Sequence, residues 1–174
     1  MSILTKNQLE DIFYQLTVGT FGFTDQQTVR LTWPTYGEPS WDITQDVFFV
    51  LVAYDDSPMT RQVMREYSEY DASTANENLV YTAPIRVSWN IYGPNSFANA
   101  DYLWSQLFTS STATTLASNN LALITDVPRP TRSPELFNSQ WWERSTFYAR
   151  FNQLVTQTGQ VPYLTSAPVT LTQE

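Results

Sequence analysis

The sequence contains no histidine and no cysteine, and its only lysine is Lys6. Without cysteine there is no disulfide, no thiolate nucleophile and no zinc site of the usual kinds. Without histidine, a serine nucleophile would need lysine as its base, and no Ser-x-x-Lys spacing occurs. The five glycines are scattered singly, so a glycine-rich phosphate loop is absent. These absences predict that the protein is not an enzyme and that it has no catalytic residues, no cofactor and no metal.

Positive charge is also scarce. Nine lysine and arginine residues stand against 17 aspartates and glutamates, which gives a net charge of −8. Tight binding to nucleic acid needs basic residues to neutralise phosphates, so this balance argues against it. No apolar run approaches the roughly 20 residues that cross a bilayer, and the first ten residues lack the pattern of a signal peptide. We therefore expect a protein made in a cytoplasm, with no membrane partner.

Aromatic residues, by contrast, are abundant. The 174 residues include 6 Trp, 10 Tyr and 10 Phe, and 42% of the sequence is hydrophobic. This length and composition favour one domain with a substantial core, spanning residues 1–174. Trp and Tyr are also the preferred anchors of protein interfaces, so a surplus of them in an acidic chain favours assembly with other subunits.

Apolar periodicity predicts three helices, over residues 6–18, 97–108 and 112–118. Thr5 and Ser96 are placed to cap the first two. The same analysis predicts strands at 29–33, 47–54, 85–92, 121–124 and 142–155. The strand at 47–54 is almost continuously apolar, which indicates that both of its faces are covered. Together these elements predict an α+β fold, a mostly antiparallel β-sheet with two to three helices packed on one side.

Two segments fit this plan less well. Residues 59–78 are polar without a clear period and are too long for an ordinary connection. We expect a protruding arm at 55–82 that orders on assembly. Thr158 and Gly159 read as a turn that leads into an extended C-terminal tail at 160–174, whose prolines suit an edge strand or a segment laid on a neighbour.

The sites where chemistry is conceivable are few. Asp55 and Asp56 form an adjacent acidic pair, and they follow a buried strand. A metal or acid–base role would need a spaced partner that the sequence does not show, so a solvated turn is the better interpretation. Glu143 precedes Arg144 directly, which indicates ion pairing instead of catalysis. Trp141 and Trp142 point to opposite faces of a strand, so one of them is either buried under the preceding segment or an interface anchor.

The order and spacing of several short motifs resemble the phage neck terminator family, whose members are also described as tail terminator or head–tail joining proteins. The resemblance covers the second half of the chain best, and the first half at fewer positions. The motifs that carry it are Trp33-Pro34, Trp41, Asp55-Asp56, Trp89, Tyr92-Gly93-Pro94-Asn95-Ser96, Asp126-Val127-Pro128, Pro134-Glu135-Leu136-Phe137-Asn138, Gln140-Trp141-Trp142-Glu143-Arg144 and Phe151-Asn152.

The resemblance implies a structural virion protein of a tailed bacteriophage. Such proteins form a ring, usually a hexamer, that terminates the tail tube and joins it to the head connector in the neck. The implied partners are copies of the same chain, the tail tube protein and the head–tail connector or adaptor proteins, with DNA passing through the lumen without specific binding. The interface residues that we expect on this basis are Trp33, Trp41, Tyr92, Trp141, Trp142 and Arg144.

Two other interpretations stay open. Within the same class, the chain is a tail tube or head-completion protein, and the copy number per virion separates a stacked tube from a single ring. In a different class, it is a carbohydrate-binding module that uses exposed Trp or Tyr rings as platforms.

Overall fold

Apolar side chains alternate along the two longest strands and give the sheet one buried face and one open face. The computed structural model describes residues 3–24, 28–32, 41–56, 61–69 and 74–162. The helices within these ranges are α1 (Lys6–Phe21), α2 (Ser96–Gln106) and α3 (Ser110–Ala117). The strands are β1 (Val29–Leu31), β2 (Val47–Tyr54), β3 (Val63–Glu69), β4 (Thr74–Tyr92), β5 (Leu121–Ile124), β6 (Thr131–Arg132), β7 (Glu135–Phe137), β8 (Gln140–Trp142) and β9 (Arg144–Pro162).

The main sheet has the strand order β1-β2-β4-β9-β5, with β3 added to β4 and β6 added to β9. Only β1 and β2 run parallel; the other described neighbours are antiparallel. Strands β7 and β8 form a separate two-stranded hairpin. The predicted α+β class, with a mostly antiparallel sheet and helices on one side, is therefore confirmed.

The core lies between this sheet and the helices. Ile85, Val87, Trp89 and Ile91 of β4 are fully buried, as their alternation predicts. The Phe13 ring of α1 lies 4.6 Å from that of Phe151, measured between centroids. Ala100 and Leu103 of α2 and Leu116 of α3 belong to the same buried cluster. All three helices therefore cover one face of the sheet.

The helix ends follow local capping chemistry. The Thr5 hydroxyl accepts from the Gln8 backbone N–H, and the Gln8 side chain accepts from the Thr5 backbone N–H, so Thr5 is the predicted N-cap. Gly22, at φ 67°, ends α1, whereas Gly19 lies inside the helix, contrary to expectation. Ser96 is the first helical residue rather than the cap. The Asp46 carboxylate instead accepts from the backbone and side chain of Asn95, at 3.0 and 2.9 Å.

Two strand predictions were inaccurate at their ends, and a third was inaccurate in its burial. Strand β4 starts at Thr74 and not near residue 85, because its first half pairs with β3 and with the end of β9. The predicted turn at Thr158 and Gly159 is wrong: both residues lie within β9, opposite Asn78 and Glu77. Strand β2 has the predicted bounds, but on its open face Val47 is buried whereas Phe49, Leu51 and Ala53 are half-buried or exposed, so the two faces are not equally covered.

The first half of β4 and the second half of β9 pair with each other and extend beyond the helices. Strand β3 pairs with the other edge of β4. Within the described residues, no helix has the length and apolar character to cross a membrane. The expectation of an arm at 55–82 stays a prediction, and its residues 57–60 and 70–73 lie outside the described ranges. The predicted C-terminal tail lies outside them from residue 163 onward, as do Trp33 and Pro34.

Candidate interface on the helix-free face

The open side of the sheet, here called the helix-free face, is built from the outward residues of β2, β4 and β9. Its residues at one end are Phe49 of β2, Tyr92 of β4 and Arg144 of β9; Tyr92 and Arg144 are direct cross-strand partners. Because side chains alternate along a strand, these residues lie opposite the buried set. The sequence thus places aromatic and charged groups on a face that none of the described helices covers.

A cluster of aromatic rings forms at this end of the face. Trp41, in the segment before β2, lies 5.2 Å from Phe49, 5.7 Å from Tyr92 and 5.8 Å from Trp142, measured between ring centroids. The rings of Trp41 and Trp142 meet at 75°, an edge-to-face contact. They pack against one another instead of lying open in one plane, which is unlike the flat platform that a sugar ring stacks on.

An open groove of about 550 Å³ adjoins these rings. We call it the aromatic groove; its lining residues are Trp41, Tyr92, Glu135, Phe137, Asn138 and Trp142. The buried indole N–H groups of Trp41 and Trp142 have no acceptor among the described residues. The groove therefore combines apolar walls with a few polar groups, as protein-binding clefts commonly do.

A polar triad fixes the β7–β8 hairpin to the sheet beside this groove. The Tyr92 hydroxyl donates to Glu135 Oε2 at 3.0 Å, and Arg144 Nη1 donates to the same oxygen at 2.8 Å. Arg144 Nε also donates to the carbonyl and hydroxyl oxygens of Ser133. Burial raises the pKa of the Tyr92 phenol, and the bond to Glu135 raises it further, whereas Arg144 lowers it.

The hairpin itself exposes large apolar side chains. Leu136 and Phe137 are each 57% exposed, and Trp141 is 65% exposed. A two-residue loop, Asn138-Ser139, joins the strands, and both residues have positive φ, the pattern of a type I′ turn. Such a turn is rigid, so the exposed residues are held in place on the surface.

The structure brings together four of the six expected interface residues. Trp41, Tyr92 and Trp142 share the aromatic groove, and Arg144 anchors the hairpin beside it. Trp141 points away from the groove into solvent, and Trp33 lies outside the described residues. Arg144 pairs with Glu135, and Glu143 pairs with Arg132 at 2.8 Å, so the expected ion pairing between the two adjacent residues is wrong.

Glu135 and Phe137 were not among the six expected interface residues, although both stand in the motif Pro134-Glu135-Leu136-Phe137-Asn138 that carries the family resemblance. The sequence pattern that indicates their hairpin is short. It consists of the apolar pairs before and after Asn138-Ser139. The acidic pair that had seemed a conceivable metal site is engaged by arginines, with Asp56 2.6 Å from Arg61 and Asp55 4.0 Å from Arg150. The described ranges hold no group of three or more acidic residues placed for a metal ion.

A protein-family model described as phage neck terminator protein matches residues 7–174. The chain belongs to this family. The resemblance inferred from the motifs is therefore confirmed, and it extends over the first half of the chain as well as the second. Membership places the protein in the neck of a tailed bacteriophage, as part of a structural family whose members work with other head and tail proteins. A comparison with curated proteins gives no match.

Proposed function

We propose that this neck terminator protein forms a closed ring of identical subunits, six by analogy with the family. In this proposal the ring terminates the tail tube and joins it to the head connector. The single observation that carries the proposal is the exposed apolar surface of the β7–β8 hairpin. Its Leu136 and Trp141 side chains are cross-strand partners on one face of the hairpin, Phe137 lies on the other face, and all three are more than half exposed.

The position of the hairpin supports an interface rather than a pocket for turnover. It stands beside the aromatic groove, so an apolar projection and an apolar recess lie on the same molecule. A ring needs two different, complementary patches on each subunit, because its contacts run head to tail. Trp41, Tyr92 and Trp142 line the recess, Arg144 lies beside it, and Trp141 provides the anchor of the projection.

The acidic charge supports a channel through which DNA moves. With a net charge of −8, the subunit repels phosphates over most of its surface. DNA then passes the lumen without specific binding, and the protein performs no catalysis. An arm at 55–82 and a tail at 160–174 would add contacts to neighbouring subunits or to the tail tube protein and the connector.

Electron microscopy of the purified protein, alone and mixed with the tail tube and connector proteins, tests the proposal. We expect closed rings with a central opening, and rings at one end of assembled tubes. A copy number per virion that corresponds to one ring excludes a tail tube protein, which repeats along the tail. Single, unassociated subunits under both conditions would contradict the proposal.

A further inference from the structure

We propose that a second groove on the helix-free face binds the acidic arm of a neighbouring copy. This inference rests on the proposed ring and specifies one of its contacts. The groove, here called the arginine groove, has a volume of about 460 Å³. The residues that matter here are Arg86, Ser88 and Asn90 of β4, Thr146 of β9, and Arg129 and Arg144 at its rim.

Three of the nine basic residues of the chain line this groove: Arg86, Arg129 and Arg144. Arg129 pairs with Asp101, and Arg144 pairs with Glu135. Beside the groove, Arg86 lies directly opposite Arg150 in the antiparallel pair of β4 and β9. Like charges at directly opposite positions destabilise a sheet, so each of the two arginines needs a partner that offsets the repulsion.

The two arginines differ in how they are neutralised. Arg150 lies 3.5 Å from Asp126 and 4.0 Å from Asp55. Arg86 is exposed and stacks on the Tyr148 ring at 4.0 Å, and no carboxylate of the described residues pairs with it. A stacked guanidinium keeps its N–H donors free for a carboxylate that arrives from outside. Arg86 is therefore the cation that a partner would neutralise.

The opposite end of the same strand carries the complementary charge. Residues 66–77 contain Glu66, Glu69, Asp71 and Glu77 and no basic residue, and Glu77 pairs with Arg65 of β3 at 3.4 Å. Glu66 is exposed on β3 and makes no salt bridge within the described residues. It pairs in register with Asn78, eight positions along β4 from Arg86.

These two charges cannot neutralise each other within one subunit. Eight residues of strand span roughly 26 Å, whereas the screening length at 0.1 M salt is about 10 Å. A second copy, related to the first by the rotation of the ring, brings Glu66 of its β3 strand to the arginine groove of the first. This contact uses different surfaces on the two copies, as a closed ring requires.

A charge-swap experiment tests the contact. Glu66→Lys places a positive charge on the arm, and Arg86→Glu places a negative charge in the groove. Asp11→Lys and Lys6→Glu on α1 are matched controls with the same changes in net charge. We expect each test variant alone to need about tenfold more protein to assemble, and an equimolar mixture of the two to assemble like the wild type. In a mixed ring in which the two variants alternate, every arm meets a groove of opposite charge.

The outcomes separate this contact from the ring itself. Sedimentation and native mass measurement report assembly, and circular dichroism checks that each variant is folded. If the wild type assembles and Arg86→Glu or Glu66→Lys assembles equally well, the proposed contact is wrong, and the proposed ring is not contradicted. If both variants fail and mixing restores nothing, the two surfaces do not meet. If the wild type never assembles, alone or with neck partners, both the proposed ring and the proposed contact are wrong.

Discussion

The hydroxyl of Tyr92 and the carboxylate of Glu135, 43 positions apart in the chain, are joined by a 3.0 Å hydrogen bond. This bond crosses from the central strand β4 to the β7–β8 hairpin, and Arg144 completes it by donating to the same carboxylate oxygen. The apolar projection of the molecule is therefore fixed to the sheet by polar contacts at its base. The proposed interface depends on that rigidity, because a mobile hairpin would lose entropy on binding.

Arg144→Ala should weaken this attachment and lower the free energy of unfolding by about 1–3 kcal/mol, because it removes hydrogen bonds to a charged group that is half-buried. Arg144→Lys should recover only part of the loss, since lysine cannot donate in two directions from a planar group. Arg132→Ala is the control: its ion pair with Glu143 is exposed, so its effect should stay below about 1 kcal/mol. Urea unfolding measures all three, and equal losses for Arg144→Ala and Arg132→Ala would count against the triad.

The Tyr92 phenol should ionise at a higher pH than an ordinary tyrosine. Its pKa is raised by burial, so folding favours the neutral form. The resulting stabilisation is present below the unfolded pKa of about 10 and is lost as pH rises through the higher folded pKa. An ultraviolet difference titration of the wild type and Tyr92→Phe isolates the transition. Ionisation of Tyr92 at the ordinary pKa of tyrosine would show that the phenol is not buried.

Thr17→Val should destabilise the core by about 1–3 kcal/mol despite conserving shape, because a buried donor loses its acceptor. The Trp89 indole N–H donates to the Thr17 hydroxyl at 3.0 Å, and both residues are fully buried. Thr20→Val, on the same helix, is the control, since its hydroxyl only donates to the Leu16 carbonyl. A loss for Thr17→Val no larger than that for Thr20→Val would contradict the importance of this bond.

Gly93→Ala should cost roughly 2 kcal/mol or more, because a side chain at φ +114° is strained and has no room. The added Cβ would lie 2.6 Å from the Gln45 carbonyl oxygen and 2.7 Å from the Asp46 Cα. Gly159→Ala in β9 is the matched control, with nothing within 4 Å of the new atom. That change should be neutral or slightly stabilising. Thermal unfolding compares the two, and similar melting temperatures would contradict this account.

The buried half of the fold was predictable from the sequence, for a simple reason. Alternating apolar residues such as Val87 and Trp89 in β4, or Leu9 and Phe13 in α1, report directly on burial. The extension of β4 back to Thr74 was not predictable. There the pairing of three strands sets the structure, and polar residues such as Asn76 and Asn78 carry no burial signal.

The candidate interface was predictable in its residues but not in its geometry. Trp41 and Trp142 stand out as rare aromatics, yet only tertiary structure shows that their rings meet at 5.8 Å. The prediction of an ion pair between Glu143 and Arg144 was wrong for a related reason. Adjacent residues of an extended chain point in opposite directions, so Glu143, just before β9, pairs with Arg132, and Arg144, the first residue of β9, pairs with Glu135.

The most direct test of the account is sedimentation of the wild type, Trp141→Ser and Tyr54→Ser over a range of protein concentrations. Trp141 and Tyr54 are similarly exposed, at 65% and 61%, but only Trp141 lies on the β7–β8 hairpin. We predict that the wild type and Tyr54→Ser form the same closed oligomer, and that Trp141→Ser requires about tenfold more protein to do so. Identical assembly of Trp141→Ser and the wild type, or a wild type that stays monomeric beside its neck partners, would contradict the account.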